Sequence, residues 1–168
     1  MTSTRDIYNA HPTDDEIDDV LGQPLAGAVG TINEDGSIHL AYVIFLYESG
    51  SIWFETSSIT RKARNAAARP TISFLVQGTA ASGTGLMVAF EGEARVVDGD
   101  DAHAIQHRIR AKYVTAEAMP ALDRAWDAMD DVAIEIVPRR RRSWTGSMLA
   151  SATEAAIGSS YDAAWIPD

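Results

Sequence analysis

Apolar and polar residues alternate in several short runs of this chain, and turn-forming residues bound each run. Each of the first two turns carries a glycine, at positions 36 and 50, where hairpins favour a positive φ. Because six alternating strands would expose open edges unless the sheet closed, we predict a mainly β fold with peripheral helices, a six-stranded antiparallel split barrel. The predicted strands cover residues 25–32, 37–47, 51–56, 71–77, 86–98 with a bulge at Gly92, and a last strand built from 132–138 and 141–146.

Helical patterns occupy the remaining segments. Residues 1–24 form an acidic leader whose short helix is capped by Thr13, and residues 59–70 form a helix that Pro70 ends. Residues 100–129 predict two helices broken near Pro120. The expected organisation is a leader at 1–24, a single barrel domain at 25–147 and an Ala- and Ser-rich tail at 148–168.

Composition narrows the class of protein. The chain has 168 residues, 46% of them hydrophobic and 23% charged, which is typical of one soluble globular domain. Without a cysteine, the chain has no thiolate chemistry and no disulfide. No apolar run approaches the ~20 residues of a membrane span, so we expect no membrane partner and a cytoplasmic location. The net charge of −10 argues against nucleic-acid binding.

The positive residues are concentrated in two places. Four of the 14 lysines and arginines lie at 61–69 and four more at 139–142. Two local basic spots on an acidic protein favour a small anionic ligand over a polymer.

The first basic spot lies in the stretch "ETSSITRKARN", residues 55–65. A strand leads into small hydroxyl residues, and then Arg61 and Lys62 open a helix. Backbone N–H groups, hydroxyls, a guanidinium and an ammonium would therefore surround one point, which is the chemistry that a phosphate requires. A solvated basic helix face is the alternative, and the residues alone leave both interpretations open.

Other candidate chemistry is weaker. There is no Gly-x-Ser-x-Gly motif for a nucleophilic serine. His103 and His107 have a metal-ligand spacing, but no third ligand is evident, so we expect no metal site. Tyr42, Phe45 and Tyr47 lie on the strand neighbouring Trp53; singly they indicate core residues, and together they would form a slot for a flat ring.

The order of these segments resembles the pyridoxamine 5′-phosphate oxidase-like split-barrel family. The resemblance covers about residues 26–146 and rests on three features: the run from Asn33 to Val76, the strand "FEGEARVV", and the "SW" after the last strand. Its most specific element is the spacing of Thr56, Arg61 and Lys62. The family binds flavin or deazaflavin nucleotides at a homodimer interface, so the resemblance implies a homodimer that also binds a small-molecule substrate.

The resemblance also implies roles for individual residues. Arg61 and Lys62 would hold the cofactor phosphate, and residues 43–46 would lie against the ring system. Trp144 would reach the cofactor from the second subunit. The implied cofactor-binding set is Val43, Ile44, Phe45, Leu46, Glu55, Thr56, Ser57, Arg61, Lys62, Asn65 and Trp144.

Departures from the family pattern limit the expected activity. Ala41 and Leu46 stand where the true oxidases carry Arg and Lys, and the chain lacks their Arg-rich ending, so vitamin B6 oxidation is not expected. The pattern is closer to the actinobacterial branch that uses the deazaflavin F420. We therefore expect an F420-dependent reductase of an unsaturated or quinone-like molecule. The alternatives are an FMN-dependent oxidoreductase and a non-catalytic flavin carrier.

Two further roles stay open at this point. The proton for the reduced substrate would come from solvent or from Tyr42, Tyr47 or His39. The arginines at 139–142 either offset nearby acids such as Asp130, Asp131 and Glu135, or place one pair beside Trp144 to attract the oligoglutamate tail of F420.

Overall fold

The structure is a computed structural model that describes residues 11–127 and 129–158. The first ten residues of the predicted leader and the last ten of the predicted tail lie outside the described residues. The helices are α1 (Asp14–Gly22), α2 (Arg61–Ala68), α3 (Gly99–Ala111), α4 (Met119–Trp126) and α5 (Ser147–Ile157). The strands are β1 (Ala26–Ile32), β2 (Ile38–Ile44), β3 (Leu46–Glu48), β4 (Ser51–Ser57), β5 (Thr71–Thr79), β6 (Gly85–Val97) and β7 (Asp131–Thr145).

All seven strands belong to one antiparallel sheet in the order β2-β1-β5-β6-β7-β4-β3. The two edge strands, β2 and β3, are joined by the single residue Phe45. The sheet must therefore curl until its edges meet at this residue. The prediction of a mainly β fold with peripheral helices is confirmed.

The structure has seven strands where the sequence pattern predicts six, because the predicted strand 37–47 is divided at Phe45. The backbone of Phe45 bonds to the end of α3 instead of to a strand. Its N–H donates to the Tyr113 hydroxyl at 2.9 Å, and its carbonyl accepts from Lys112 Nζ at 3.2 Å. This break lets β2 pair with β1 while β3 turns to pair with β4.

Glycines predicted at turns and at a bulge have those roles. Gly36 and Gly50 adopt φ values of 81° and 83° in the two hairpin turns. The register between β6 and β7 shifts at Gly92, where an added Cβ would lie 2.1 Å from the carbonyl oxygen of Val137. A side chain there would force the two strands apart.

The core fills the inside of the curl. It contains Phe54, Phe74 and Phe90, each at most 1% exposed, and α1 adds its apolar stripe at Ile17, Val20 and Leu21. As predicted, α1 starts at Thr13, which forms a reciprocal capping box with Glu16.

The predicted helical insertion packs on the outside of the curl. α3 places Ala102, Ile105 and Ile109 against Trp53 and Ala133, on the outer face of β4 and β7. The prediction of two helices is confirmed, but the break falls at residues 112–118. Pro120 lies in the first turn of α4, where a missing N–H costs no hydrogen bond.

One buried cation fixes this insertion to the sheet. The side chain of Arg110 on α3 is 0% exposed. Its guanidinium contacts three carboxylates: Glu55 on β4 at 2.9 Å, Asp123 at 3.1 Å and Asp127 at 2.8 Å. Burial opposes the charge, but the hydrogen bonds with Asp127 and Glu55 outweigh it and leave the pKa of Arg110 raised.

We expect Arg110→Met to lower the free energy of unfolding by about 3–5 kcal/mol, because the carboxylates would lose their buried counter-charge. Arg108→Met is the matched control on the same helix. Arg108 is 45% exposed and pairs with Glu48 at 3.0 Å, so its loss should cost less than about 1 kcal/mol. Urea unfolding followed by circular dichroism measures both, and equal small losses would contradict a structural role for Arg110.

Candidate functional site

The end of β4 and the start of α2 bring hydroxyls and free backbone N–H groups together. Thr60 caps α2, and its hydroxyl accepts from the Ala63 N–H at 3.4 Å. The Thr56 hydroxyl lies 3.0 Å from the Thr60 hydroxyl. The first turn of a helix presents unpaired N–H groups and a partial positive charge, so this point favours an anion.

Two cations open the same helix. Arg61 is exposed and Lys62 is half-buried, and neither makes a hydrogen bond or ion pair with another described residue. Burial lowers the pKa of Lys62. A cation that is partly removed from water without a counter-charge is costly, so a bound anion would stabilise it.

An open cleft of about 900 Å³ lies between α2 and the β1–β2 turn. Arg61 and Arg64 line its α2 side, and Asp35 and Ser37 line the turn. Hydrogen bonds from the Ser37 hydroxyl and N–H lower the pKa of Asp35, and Arg61 adds to that effect. The cleft is therefore lined by three arginines, none of which forms an ion pair with another described residue, and by two carboxylates, those of Glu34 and Asp35.

A second cavity, of about 500 Å³, lies on the outer face of the sheet and is mainly apolar. Leu40 and Leu75 are exposed there, at 70% and 40%, and Trp144 lines the cavity with them. The strand register aligns Tyr42, Ala28, Leu75 and Ala89 in one row. The two alanines in this row are small, so the sheet surface is recessed beside Tyr42 and Leu75, which forms the cavity.

The β1–β2 hairpin lies between the two cavities, which share no lining residue. Ile32 and Ile38 line the apolar cavity, and their chain neighbours Asn33 and Ser37 line the cleft beside α2. The hairpin therefore borders an apolar environment on one side and a cationic one on the other.

The structure brings together only part of the site set given in the sequence analysis. Thr56, Ser57, Arg61 and Lys62 follow one another through the strand, turn and helix. Trp144 lies on the outer sheet face, at the apolar cavity.

Residues 43–46 have mixed positions. Val43 and Phe45 point into the core, and Phe45 is 0% exposed. Ile44 and Leu46 pack against the α3 cluster. Within one chain these four side chains therefore pack against protein and do not line either cavity.

Glu55 and Asn65 are held by other protein groups. Glu55 points away from the core to Arg110. Asn65 is buried; its amide donates to Thr31 at 3.1 Å and to Asn33 at 2.9 Å and accepts from Arg69 at 3.1 Å. Glu55 therefore supports the framework of the site, whereas Asn65 also lines the cleft beside α2.

The aromatic slot expected from Tyr42, Phe45 and Tyr47 does not form. Tyr42 is 80% exposed on the outer face, whereas Phe45 is buried inside the curl and the Tyr47 ring lies 5.9 Å from that of Phe90 in the core. Tyr42 and Phe45 are three positions apart, and the alternation of a strand places such residues on opposite faces. His39 is half-buried on the inner face of β2.

One histidine of the α3 pair, His107, contacts an acidic residue of α4. His107 Nδ1 lies 2.9 Å from Asp123, which also contacts Arg110. Among residues 11–127 and 129–158, no group of three or more His, Cys, Asp or Glu is placed to hold a metal ion.

The arginines at 139–142 pair with acids other than those expected. Arg139 contacts Glu93 at 2.6 Å, Arg140 contacts Glu91 at 3.4 Å, and Arg141 contacts Asp14 at 2.7 Å. By register Arg140 and Arg142 share the outer face with Trp144.

Asp130 is a site residue that the sequence reasoning missed. Its backbone carbonyl accepts from the Ser58 N–H at 2.8 Å and from the Ser57 hydroxyl at 3.3 Å, and its carboxylate accepts from the Ser58 hydroxyl. The pairing of Asp131 with Ser57 produces this contact. No local signal in the sequence gives the register of two strands 70 or more residues apart.

No helix in the part of the chain that the structure describes is long and apolar enough to cross a membrane.

Comparison with known proteins gives the same fold. A conserved hypothetical protein of Mycobacterium tuberculosis is 30% identical, with a TM-score of 0.68, and the match covers 84% of this chain and 89% of that one. An F420 reductase matches at 24% identity and TM-score 0.56, over 78% and 98% of the two chains. An FAD-binding protein of Mesorhizobium loti matches at 14% identity and TM-score 0.55, over 79% and 94%. No curated protein matches the chain.

The sequence profile of the pyridoxamine 5′-phosphate oxidase family matches residues 13–145, which include the whole curled sheet and the cationic start of α2. The chain belongs to the pyridoxamine 5′-phosphate oxidase family.

Proposed function

We propose that this protein is an F420-dependent reductase that transfers a hydride to an unsaturated or quinone-like small molecule. The observation that carries the proposal is the pair Arg61 and Lys62, which open α2 without a protein counter-charge among the described residues. The adjoining apolar cavity offers an environment for a flat ring. Family membership and the F420 reductase of the same fold support the cofactor class.

In this proposal the chain's own residues bind and orient the cofactor. Lys62 and Arg61 hold its phosphate, helped by the free N–H groups at the start of α2. Arg64, which is exposed on the same cleft, contributes positive charge for the remaining anionic tail. When bound, reduced F420 supplies the hydride, and the protein supplies binding and orientation.

A proton must also reach the reduced substrate. Tyr42 is 80% exposed on the outer face and pairs with Ala28, which lines the apolar cavity, so its hydroxyl is available as a donor. Tyr47 packs in the core and His39 lies on the inner face, which favours Tyr42 or solvent over either of them.

We further propose that the protein is a homodimer joined through the outer face of β2, β1, β5 and β6. This face exposes Ile38, Leu40, Tyr42 and Leu75 together, and a contiguous apolar patch on a sheet favours association. Trp144 of the partner subunit would then border the cofactor ring, and a cytoplasmic location would supply the reduced cofactor.

FMN is the alternative cofactor, and the FAD-binding protein of the same fold favours a flavin. Titration of the purified protein with F420 and with FMN separates the two, because each ligand changes fluorescence when its ring is bound. We expect tighter binding of F420, and oxidation of reduced F420 when a quinone is added. Tighter FMN binding would replace F420 in the proposal, and binding without turnover would favour a carrier.

Replacing Lys62 by Ala should weaken cofactor binding by about 1.5–3 kcal/mol, the usual contribution of a hydrogen bond to a charged group. Arg61→Lys should also weaken it, because an ammonium cannot reproduce the planar fork of a guanidinium. The matched control is Arg124→Ala, on the exposed side of α4. Unchanged affinity in both variants would show that residues 61–64 form a solvated helix face and not a phosphate site.

Leu40→Asp should dissociate the dimer at micromolar concentration, because it places a charge in the centre of the apolar face. Ile59→Asp is the control, since Ile59 is 72% exposed but lies in the turn before α2. Sedimentation velocity measures both variants. A monomeric wild type with full cofactor affinity would contradict the proposal.

A further inference from the structure

An open pocket of about 490 Å³ lies between α3, α4 and the segment that connects these helices. It shares no lining residue with the cleft beside α2 or with the apolar cavity on the sheet. A pocket of this size is within the range that proteins use for small ligands. Most of its wall is apolar and is formed by Ala111, Val114, Ala116, Met119 and Pro120.

The polar part of the same wall is a histidine and an aspartate, His107 and Asp123. They contact each other, with 2.9 Å between His107 Nδ1 and the Asp123 carboxylate. The other oxygen of that carboxylate accepts from Arg110 at 3.1 Å. Since the Arg110 side chain is 0% exposed, this bond fixes the carboxylate, and the carboxylate in turn orients the imidazole.

The contact with Asp123 determines which nitrogen of His107 carries the proton. Burial raises the pKa of Asp123, but hydrogen bonds from Arg110 and His107 outweigh it and leave the pKa lowered. An ionised carboxylate only accepts hydrogen bonds, so the proton lies on His107 Nδ1. In the neutral imidazole, Nε2 is then a hydrogen-bond acceptor, and it bonds to no other described residue. The His107 side chain is 58% exposed, so a ligand can reach this acceptor.

The charge around the pocket disfavours an anionic ligand. Three carboxylates, those of Glu55, Asp123 and Asp127, surround the single guanidinium of Arg110. Coulomb repulsion from the excess negative charge opposes a carboxylate or a phosphate. A neutral ligand with an O–H group meets no such repulsion, and its O–H can donate to Nε2 of His107.

We propose that this pocket binds a phenol, a neutral aromatic molecule whose hydroxyl donates a hydrogen bond to His107 Nε2. The apolar wall removes the ring from water, and the Met119 thioether is a favourable neighbour for an aromatic ring. A phenolic O–H is more acidic than that of an alcohol and is therefore the stronger donor to an imidazole. The inference does not depend on the proposed function, because the pocket and the cofactor cleft have no residue in common.

The test titrates the full chain with two probes, para-fluorophenol and para-fluoroanisole, and follows binding by fluorine NMR. The two probes share the fluorinated ring, but anisole has a methyl ether in place of the O–H and cannot donate. We expect the wild type to bind the phenol about three- to tenfold more tightly than the ether, as the loss of one hydrogen bond requires.

Three variants locate the site. His107→Phe keeps an aromatic ring but removes the acceptor, so the preference for the phenol should disappear while the affinity for the ether changes little. His103→Phe is the matched control, one turn earlier on α3 and not part of the pocket wall, and it should keep the preference. Ala111→Leu adds volume to the pocket wall with a good helix former, so it should weaken the binding of both probes.

Equal affinities of the two probes for the wild type would overturn the proposal, as would a preference that survived in His107→Phe. Unchanged binding in Ala111→Leu would place the probes elsewhere, for example in the apolar cavity on the sheet, and would overturn it too. So would the absence of binding by either probe up to about 10 mM. F420 titrated into the same three variants should bind as it does to the wild type. A wild type that bound the phenol but not F420 would contradict the proposed function alone.

Discussion

A guanidinium that is removed from water must find its counter-charges inside the protein, and Arg110 finds three. They come from β4 and from the end of α4, so one side chain ties the helical insertion to the strand that leads into the cationic helix. A buried charge of this kind is stable only while all its partners are in place. Ser57 lies on the same face of β4 as Glu55, so the turn that leads into α2 begins two residues from this ion-pair cluster.

Strand β4 packs against the core on one face and against α3 on the other, and the candidate site begins at its end. Ile52 and Phe54 of β4 point into the curl, Trp53 and Glu55 point to α3, and the strand then ends at the hydroxyl turn. Because both faces of β4 pack against protein, the strand is rigid. It therefore holds the first residues of α2 in place before a ligand binds. Arg61 and Lys62 form no ion pair with another described residue. Their positive charge therefore remains available to a ligand at the start of α2, although the protein has a net charge of −10.

Much of the fold could be predicted from local patterns. Alternation gave the strands, Gly36 and Gly50 the turns, and Gly92 the bulge, because each reflects the backbone of a few neighbouring residues. The division at Phe45 could not be predicted, since it depends on Lys112 and Tyr113, far along the chain. The aromatic slot was a wrong expectation for a different reason: Tyr42 and Phe45 are three positions apart, which places them on opposite faces of the sheet.

The candidate site divides in the same way. The hydroxyls and cations of residues 56–62 are adjacent in sequence, so their pattern makes an anion site one of two interpretations that the sequence offers. Asp130 and Arg110 enter through strand register and burial, which a single sequence does not reveal. Glu55 shows the limit most clearly, because the family resemblance implied a cofactor contact while its face of the strand directs it to Arg110.

The central claim is that the start of α2 recognises a phosphate, and the most direct measurement compares ligands with and without that group. Isothermal titration of the wild type with FMN and riboflavin, and with F420 and its phosphate-free deazaflavin, isolates the contribution of the phosphate. The account predicts that each phosphorylated ligand binds at least about tenfold more tightly, the equivalent of about 1.4 kcal/mol or more. Equal affinities within both pairs would contradict it.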